Sequence, residues 1–311
     1  MNKIIKSKLL LKRITLQTVS EEWLNANKNS YKQSTYQTYS YIIGKYILNS
    51  EISNISLNNL NTNNLASFSE KLMSKDLSTK TVNDIILILN ALLRFASINY
   101  DADISLAPHI KEQKKEMRVL SILEQQQLEN YLKTDMDNYK FGILFALYTG
   151  IRIGELCALQ WGDINNGYIV ISKTMQRIRN GTGQSVVVID SPKTFNSNRT
   201  IPIPNFLNAI IEERRESPEN YVLSTKSLKF VEPRLMQIKF KKITEICGFN
   251  NVTFHTLRHT FATRCVECDC DIKSLSEILG HADVNTTLNR YVHSSLELKQ
   301  NNINKLQKFV V

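Results

Sequence analysis

One segment late in the chain combines residue types that can stabilise charge on a phosphodiester. In FHTLRHTFATR, residues 254–264, a helix would place His255, Arg258 and His259 on one face, at positions i, i+3 and i+4. Cationic and hydrogen-bond-donating groups suit a phosphodiester because its non-bridging oxygens must be neutralised as charge builds in the transition state. The same spacing is also typical of a solvated basic helix face, so this motif alone leaves both interpretations open.

A second segment, YTGIRIGEL at residues 148–156, places an arginine at a predicted helix start. Gly150 is expected to end the preceding helix in the left-handed conformation, which leaves Arg152 beside the exposed backbone amides of the next helix. Such a position binds anions, and the planar guanidinium can donate two hydrogen bonds to a phosphate. Glu155, one turn later, is placed to orient neighbouring cations. The alternative is that Arg152 is an ordinary surface arginine.

A third segment, LGHADVNTTLNRYVH at residues 279–293, ends one predicted helix and begins another. Gly280 and His281 are expected at the helix end, and Asp283 can cap a short helix that presents Tyr291. The alternative for this tyrosine is simple core packing with its hydroxyl satisfied.

In combination, these segments resemble the tyrosine recombinase (phage integrase) family. The matching stretches are TGIRIGEL, SPKT, HTLRHTFATR and LGHADVNTTLNRYVH, with looser similarity in the first half through STYQTY and LSTKTVN. The residues that correspond to the family's catalytic set are, in chain order, Arg152, Lys193, His255, Arg258, His281 and Tyr291.

The resemblance implies a role for each of these residues. Tyr291 is expected to attack the scissile phosphate and form a 3′-phosphotyrosyl link that leaves a free 5′-hydroxyl. Arg152 and Arg258 are expected to bind the non-bridging oxygens, and Lys193 to act as general acid for the 5′-oxygen.

Four further expectations complete the implied site. His255 would assist proton transfer with the nucleophile, and His281 would hydrogen-bond the phosphate. Glu155 is expected in support, and His259 is expected to lie behind the residues that contact the phosphate.

The implied chemistry needs no cofactor. The phosphotyrosyl bond stores the energy for rejoining, so ATP is not required, and the sequence carries no Walker-type loop or cluster of acidic metal ligands. Cys265, Cys268 and Cys270 are followed by no second pair at zinc spacing, so inert or redox-sensitive thiols are favoured over a metal site. Asp269 stands where the family commonly has glycine.

The chain is predicted to form two domains. Residues 1–14 read as a basic extension too short for the arm-binding domain of many integrases. Residues 15–107 read as an all-α domain, a SAM-like bundle by resemblance that binds the core DNA site, and 108–118 as a linker. Residues 119–293 read as a mainly α catalytic domain of the DNA breaking-rejoining fold. Its small antiparallel sheet comes from YIVISKTMQ, SVVVIDS and RTIPI, with Lys193 at a turn between strands.

Composition agrees with a DNA partner. The formal charge is +10, with 42% hydrophobic and 22% charged residues, as expected of a globular protein that binds a polyanion. An odd number of cysteines and no visible export signal predict reduced thiols in the cytoplasm, with the protein on the nucleoid when bound. No apolar stretch of membrane length is expected.

By resemblance, the two halves close around double-stranded DNA at a specific core site as a clamp. The tail 294–311 would pack on a neighbouring protomer of a homotetramer assembled on paired sites; its alternative is packing on its own domain. An accessory directionality factor is a further partner that the family allows. The candidate DNA contacts are Lys32, Gln33, Lys80, Asn83, Lys111, Lys114, Lys115 and Arg118.

The particular residues of the motifs favour an integrase of a phage or conjugative element. Alternatives with the same chemistry are a recombinase that resolves dimers or inverts a DNA segment. A non-catalytic DNA-binding regulator would not need both Lys193 and Tyr291. The compact two-domain size and the terminal tail argue against a type IB topoisomerase.

Overall fold

The computed structural model describes residues 14–101, 103–112, 117–179, 184–190, 198–227, 229–291, 300 and 303–304. By its internal packing the chain divides into two compact units. One comprises residues 1–115 together with 178–185, and the other comprises residues 116–177 and 186–311.

The described part of the first unit is helical. Its four α-helices are α1 (Leu16–Asn27), α2 (Gln33–Ile42), α3 (Thr62–Met73) and α4 (Thr79–Tyr100). A π-helical turn at Ile43–Leu48 continues α2, and a 3-10 turn follows at Glu51–Asn54. The core of this unit lies along α4, which buries nine residues including Ile85, Leu89 and Leu93.

Local sequence explains where α4 begins and ends. The side-chain oxygen of Ser78 accepts a hydrogen bond from the backbone N–H of Thr81 at 3.1 Å, which satisfies one amide of the first turn. Asp101 ends the helix in the left-handed conformation with φ of 51°. The 22-residue helix is long and apolar enough to span a membrane by composition alone, contrary to our expectation, but half of its apolar window is buried inside this unit. It is the core helix of the unit.

The second unit contains eight α-helices within its described ranges. They are α5 (Ile122–Lys133), α6 (Asn138–Thr149), α7 (Ile153–Ala158), α8 (Asn205–Arg214), α9 (Pro233–Ile246), α10 (Phe254–Glu267), α11 (Ile272–Leu279) and α12 (Val284–Tyr291). The helix α6 is apolar on all sides and buried almost throughout, and α5, α7, α9 and α10 pack against it.

The β-rich block forms two antiparallel sheets rather than the one predicted. Strands β1 (Ile164–Asn165), β2 (Tyr168–Ile171) and β5 (Arg199–Pro202) form one sheet in the order β1-β2-β5. Strands β3 (Thr174–Arg179) and β4 (Ser185–Asp190) pair separately. In the first sheet Ile169 lies opposite Ile201, and Ile171 lies opposite Arg199. This register places Arg199 at one end of a sheet whose Ile169 and Ile201 enter the core.

Candidate active site

Arg258 on α10 joins three segments that are far apart in the chain. Its Nη1 donates to the carbonyl oxygen of Gly150 at 2.8 Å, and its Nη2 donates to the carbonyl oxygen of Leu279. The same Nη2 lies 3.2 Å from Nε2 of His281. Only 2% of Arg258 is exposed, so the guanidinium fixes the ends of α6 and α11 against α10. The three motifs of the sequence therefore meet at one place.

The left-handed glycines predicted at these helix ends are present. Gly150 has φ of 64° and Gly280 has φ of 63°. A Cβ at Gly150 would lie 2.5 Å from the Cδ1 atom of Phe261, so glycine is required both by conformation and by the close approach of α10. The carbonyl oxygen of Gly150 is thereby held where Arg258 binds it.

A buried carboxylate organises the other cations. Nη1 of Arg152 donates to Oε1 of Glu155 at 2.8 Å, while Nη2 of Arg152 donates to the carbonyl oxygen of Gly280 at 3.1 Å. Arg199 binds Glu155 with two parallel bonds, from Nη1 to Oε1 at 2.9 Å and from Nη2 to Oε2 at 2.8 Å. Burial opposes ionisation of Glu155, but the hydrogen bonds and charges of Arg199 and Arg152 outweigh it and lower the pKa of this carboxyl.

Arg199 was not among the residues singled out from the sequence. Its side chain is 5% exposed, and its Nε donates to the carbonyl oxygen of Ile278 at 2.6 Å. The only signal available was its position at the start of the strand RTIPI, shortly after the SPKT motif. Because it faces Glu155, it adds a third arginine to the cationic cluster.

Tyr291 lies in the same region and is 5% exposed. It packs in a small apolar cluster with Ala262, Leu275 and Leu279. Its hydroxyl is 2.8 Å from Nδ1 of His259. Asp283 accepts a hydrogen bond from the backbone N–H of Asn285 at the start of α12, as a cap should.

Of the two histidines on α10, His259 lies nearer the Tyr291 hydroxyl than we expected. We expected His255 near the nucleophile, yet the described contact of the Tyr291 hydroxyl is with His259. The His255 ring packs edge-on against His259, with centroids 4.4 Å apart. The His281 ring lies parallel to Tyr291 at 6.4 Å, and its Nδ1 is 2.8 Å from the Thr287 hydroxyl. A proton can therefore pass between Tyr291 and His259 without intervening groups.

Burial and nearby arginines keep these histidines neutral. Burial, then the charges of Arg258 and Arg290, lower the pKa of His255 to about 4. Burial, then the charges of Arg258 and Arg152, lower the pKa of His281 to about 4. Burial beside His255 lowers the pKa of His259 to about 3.

The pKa of Tyr291 is raised rather than lowered. Burial favours the neutral form of a group, and for a phenol the neutral form is the protonated one. Burial raises the pKa of the hydroxyl, while the positive charges of Arg258, Arg290 and Arg152 oppose that rise. In the absence of an anion at the site, the phenol therefore stays protonated at neutral pH.

These shifts predict that acid destabilises the DNA-free protein. An unfolded histidine takes up a proton near pH 6.5, whereas the folded site resists protonation until about pH 4. The unfolded state therefore binds more protons between these values, and stability falls as the pH drops through this window. We expect the melting temperature to fall on going from about pH 7 to about pH 5, and to fall less in His281→Asn. His109→Asn, at an exposed position of the first unit, is the matched control; equal slopes in all three proteins would contradict the prediction.

Lys193 and two of the candidate DNA contacts, Lys114 and Lys115, lie outside the described residues. Of the others, Gln33 and Lys111 are exposed and Lys32 is half-buried. Arg118 already has partners within the protein. It forms an ion pair with Glu124 and donates to the carbonyl oxygen of Val119 at 2.5 Å.

Asn83 and Lys80 on α4 have partners within the first unit. The amide of Asn83 accepts from the N–H of Ile110 and donates to its carbonyl oxygen, each at 2.8 Å, and also donates to Glu112. Lys80 pairs with Asp84 at 3.4 Å at an exposed position. A contact of Asn83 with DNA would have to break bonds that hold the segment after α4, so this candidate is the least suited of the set.

The described residues contain no group of three His, Cys, Asp or Glu side chains arranged to hold a metal ion. All five cysteines are free, with Cys268 and Cys270 exposed and Cys265 partly buried.

Comparison with known proteins decides the family. The model of the phage integrase family matches residues 118–297, and that of the phage integrase N-terminal SAM-like domain matches residues 15–73. The chain belongs to the phage integrase family. The predicted fold class is thereby confirmed: a SAM-like helical domain precedes a mainly α domain with small antiparallel sheets.

The chain is similar to several proteins named tyrosine recombinase or integrase. A tyrosine recombinase XerA from Pyrococcus furiosus is 30% identical over 71% of the chain and 72% of the relative. A XerC-like tyrosine recombinase from Caldanaerobacter subterraneus subsp. tengcongensis is 28% identical over 54% of the chain, which spans about half (49%) of that relative's length. The integrase of Staphylococcus phage L54a is 28% identical over 64% of the chain.

Solved structures share the fold. The Tn1549 transposon integrase in complex with a circular intermediate DNA superposes with a TM-score of 0.80 and 19% identity, over 94% of this chain and 99% of that one. A λ integrase tetramer bound to a Holliday junction gives a TM-score of 0.67 and 17% identity, over 91% and 80% of the two chains.

Proposed function

We propose that this integrase cleaves and rejoins double-stranded DNA at a specific core site through a covalent bond between Tyr291 and the 3′-phosphate. The observation that carries the proposal is the convergence of Arg152, Arg258 and His281 beside the buried Tyr291 hydroxyl. The arginines come from different segments and are locked by backbone carbonyl oxygens, Gly280 for Arg152 and Gly150 for Arg258.

The cationic cluster suits the charge that develops on a phosphate under attack. Arg152 and Arg258 would bind the non-bridging oxygens, with His281 donating a further hydrogen bond. Because their positions are already fixed, little reorganisation is needed when charge appears, which is the main source of electrostatic catalysis. Arg199 is proposed as a positioning residue that holds Glu155 and, through it, Arg152.

Proton transfer follows from the same geometry. With Nε2 protonated, the neutral His259 presents the lone pair of Nδ1 to the Tyr291 hydroxyl at 2.8 Å. His259 would accept the phenol proton as the oxygen attacks phosphorus, and His255 would orient the His259 ring. The departing 5′-oxygen must gain a proton, and we assign this step to Lys193 on the strength of the SPKT motif.

The test of this activity is covalent adduct formation on a nicked suicide DNA substrate. The arginines and His281 take the place that metal ions hold in other phosphoryl-transfer enzymes, so adduct should form at an unchanged rate in excess EDTA. Quantifying the protein–DNA band on a denaturing gel, with and without EDTA, provides the measurement. A several-fold loss that added Mg²⁺ restores would refute the metal-free mechanism.

The role of Lys193 makes a separate prediction. Lys193→Ala should lower cleavage of ordinary DNA by roughly 10²–10⁴-fold, the usual contribution of a general acid. A substrate with sulfur in the 5′-bridging position should be cut at nearly the normal rate, because a thiolate leaving group needs no proton. Lys173→Ala removes a lysine that is already paired with Asp163 and serves as the control. If the sulfur substrate fails to rescue Lys193→Ala while the parent protein cuts it, another group is the acid.

We further propose that the protein integrates and excises a mobile element in the cytoplasm, as a tetramer on paired sites. This rests on the similarity to a phage integrase and a transposon integrase and on the λ integrase tetramer. The alternative is a dimer-resolving enzyme with the same chemistry, and the XerA and XerC-like relatives are named tyrosine recombinases rather than integrases. Recombination of an attachment-site pair, compared with directly repeated copies of one site, distinguishes the two roles.

A further inference from the structure

The C-terminal turn of α10 brings Cys265 and Cys270 close together. The backbone N–H of Cys270 donates to the carbonyl oxygen of Cys265 at 2.9 Å, and that of Asp269 donates to Val266 at 3.1 Å. Asp269 is left-handed, with φ of 56°. These are the two bonds of a Schellman motif, in which the side chains of the first and sixth residues usually pack together as a hydrophobic pair. Here both residues are cysteine.

The geometry of this motif is compatible with a disulfide. With standard bond lengths, the path from one Cα to the other through a hydrogen bond of 2.9 Å is at most roughly 7.1 Å, and the bend at the carbonyl carbon makes the direct Cα–Cα separation shorter than this path. Disulfides span Cα separations of roughly 4.4–6.8 Å. The side chains also lie near each other, since the Cys270 thiol is among the groups that raise the pKa of the Cys265 thiol.

The two thiols differ in exposure, and this sets the order of reaction. Cys270 is exposed, whereas Cys265 is partly buried and packs against the cluster that contains Tyr291. Burial raises the pKa of Cys265 to about 12, so it is a poor first nucleophile.

We propose that Cys265 and Cys270 form a reversible disulfide when the protein meets hydrogen peroxide, and that this bond slows DNA cleavage. The Cys270 sulfur attacks the peroxide O–O bond, giving a sulfenic acid and one water. The Cys265 sulfur then displaces the sulfenic hydroxyl, which leaves with a proton as a second water. The two thiols lose two electrons and two protons in total, and the peroxide is reduced to water.

The link to cleavage follows from the position of Cys265. Its side chain belongs to the packing around Tyr291, and the new bond draws its sulfur toward the exposed Cys270. The bond also ties the C-terminal end of α10 to the turn before α11, and the same helix carries His255, Arg258 and His259 in its N-terminal half. This second step rests on the proposed function, whereas formation of the disulfide does not.

Mass spectrometry of the full-length protein tests the modification without any activity assay. After hydrogen peroxide treatment and alkylation of free thiols, the tryptic peptide 265–273 should have lost two hydrogens and should carry one alkyl group rather than three. Cys268→Ser is the matched control, because it should still form the disulfide, whereas Cys270→Ser should not. Alkylation of all cysteines in oxidised protein, or loss of the disulfide in Cys268→Ser but not in Cys270→Ser, would overturn the assignment.

The effect on cleavage is measured on the suicide substrate with the same samples. Oxidised parent protein and oxidised Cys268→Ser should form adduct several-fold more slowly, and dithiothreitol should restore the rate. Cys270→Ser should be insensitive to the oxidant. If disulfide forms and the rate is unchanged, the coupling to Tyr291 is wrong, and if reduced protein forms no adduct, the failure lies in the proposed function instead.

Discussion

Tyr291→Phe is expected to form no detectable covalent adduct on a suicide substrate while still binding DNA within a few-fold of the parent protein. The substitution removes only the hydroxyl that bonds His259, and the ring can keep its packing in the apolar cluster. The stability cost should be about 1 kcal/mol, the net value of one hydrogen bond. Loss of adduct would therefore reflect loss of the nucleophile.

The control for this substitution is Tyr148→Phe. Tyr148 is a half-buried tyrosine of the second unit, and its hydroxyl bonds Glu129 rather than any member of the cationic cluster. It should form adduct at the normal rate. Adduct that persists in Tyr291→Phe would remove Tyr291 from its proposed role, and gel-shift titration of both variants verifies DNA binding.

His259→Asn tests the nearest neighbour of the nucleophile in the same assay. If His259 accepts the phenol proton, adduct formation should slow by roughly 10²–10⁴-fold. His255→Asn should have a smaller effect, because its described contact is with the ring of His259 rather than with Tyr291. The reverse order would return the role of base to His255.

Glu155→Gln is expected to destabilise the protein by about 3–5 kcal/mol, the cost of leaving one partner of a buried ion pair uncompensated. The pair consists of Glu155, 3% exposed, and Arg199, 5% exposed, with two hydrogen bonds between them. The free energy of unfolding from urea titration supplies the measurement. Glu212→Gln removes an exposed partner of Arg215 and should change the free energy of unfolding far less, because solvent screens an exposed ion pair.

A double substitution separates stability from function at this pair. Glu155→Met with Arg199→Met replaces both charges by apolar side chains, which should recover much of the lost stability. Cleavage should remain strongly impaired, because Arg152 loses the carboxylate that holds it. Recovery of both stability and cleavage would show that Arg152 needs no carboxylate, and a Glu155→Gln variant as stable as the Glu212→Gln control would contradict the buried-pair argument.

The parts of the site that the sequence predicted depend on local rules. The left-handed Gly150 and Gly280, the shared helix face of His255 and Arg258, and the short helix carrying Tyr291 all follow from spacing and capping. Each needs only the conformation of a few consecutive residues, which the residue types largely determine.

Contacts between distant segments could not be predicted in the same way. The order of His255 and His259 relative to Tyr291 depends on how α10 is rotated about its axis, and two positions four residues apart differ by only roughly 40°. The partner of Arg199 lies 44 residues earlier in the chain, and nothing in RTIPI identifies it. The single predicted sheet became two because β2 pairs with β5 and leaves β3 and β4 to pair alone.

The glycine at the end of α6 has a practical consequence for altering this protein. With its backbone in the left-handed region and Phe261 against the missing Cβ, Gly150 admits no other side chain without moving the carbonyl oxygen that anchors Arg258. Libraries built to change DNA target preference should therefore keep this codon constant, and laboratory evolution should find it among the least tolerant positions of the gene.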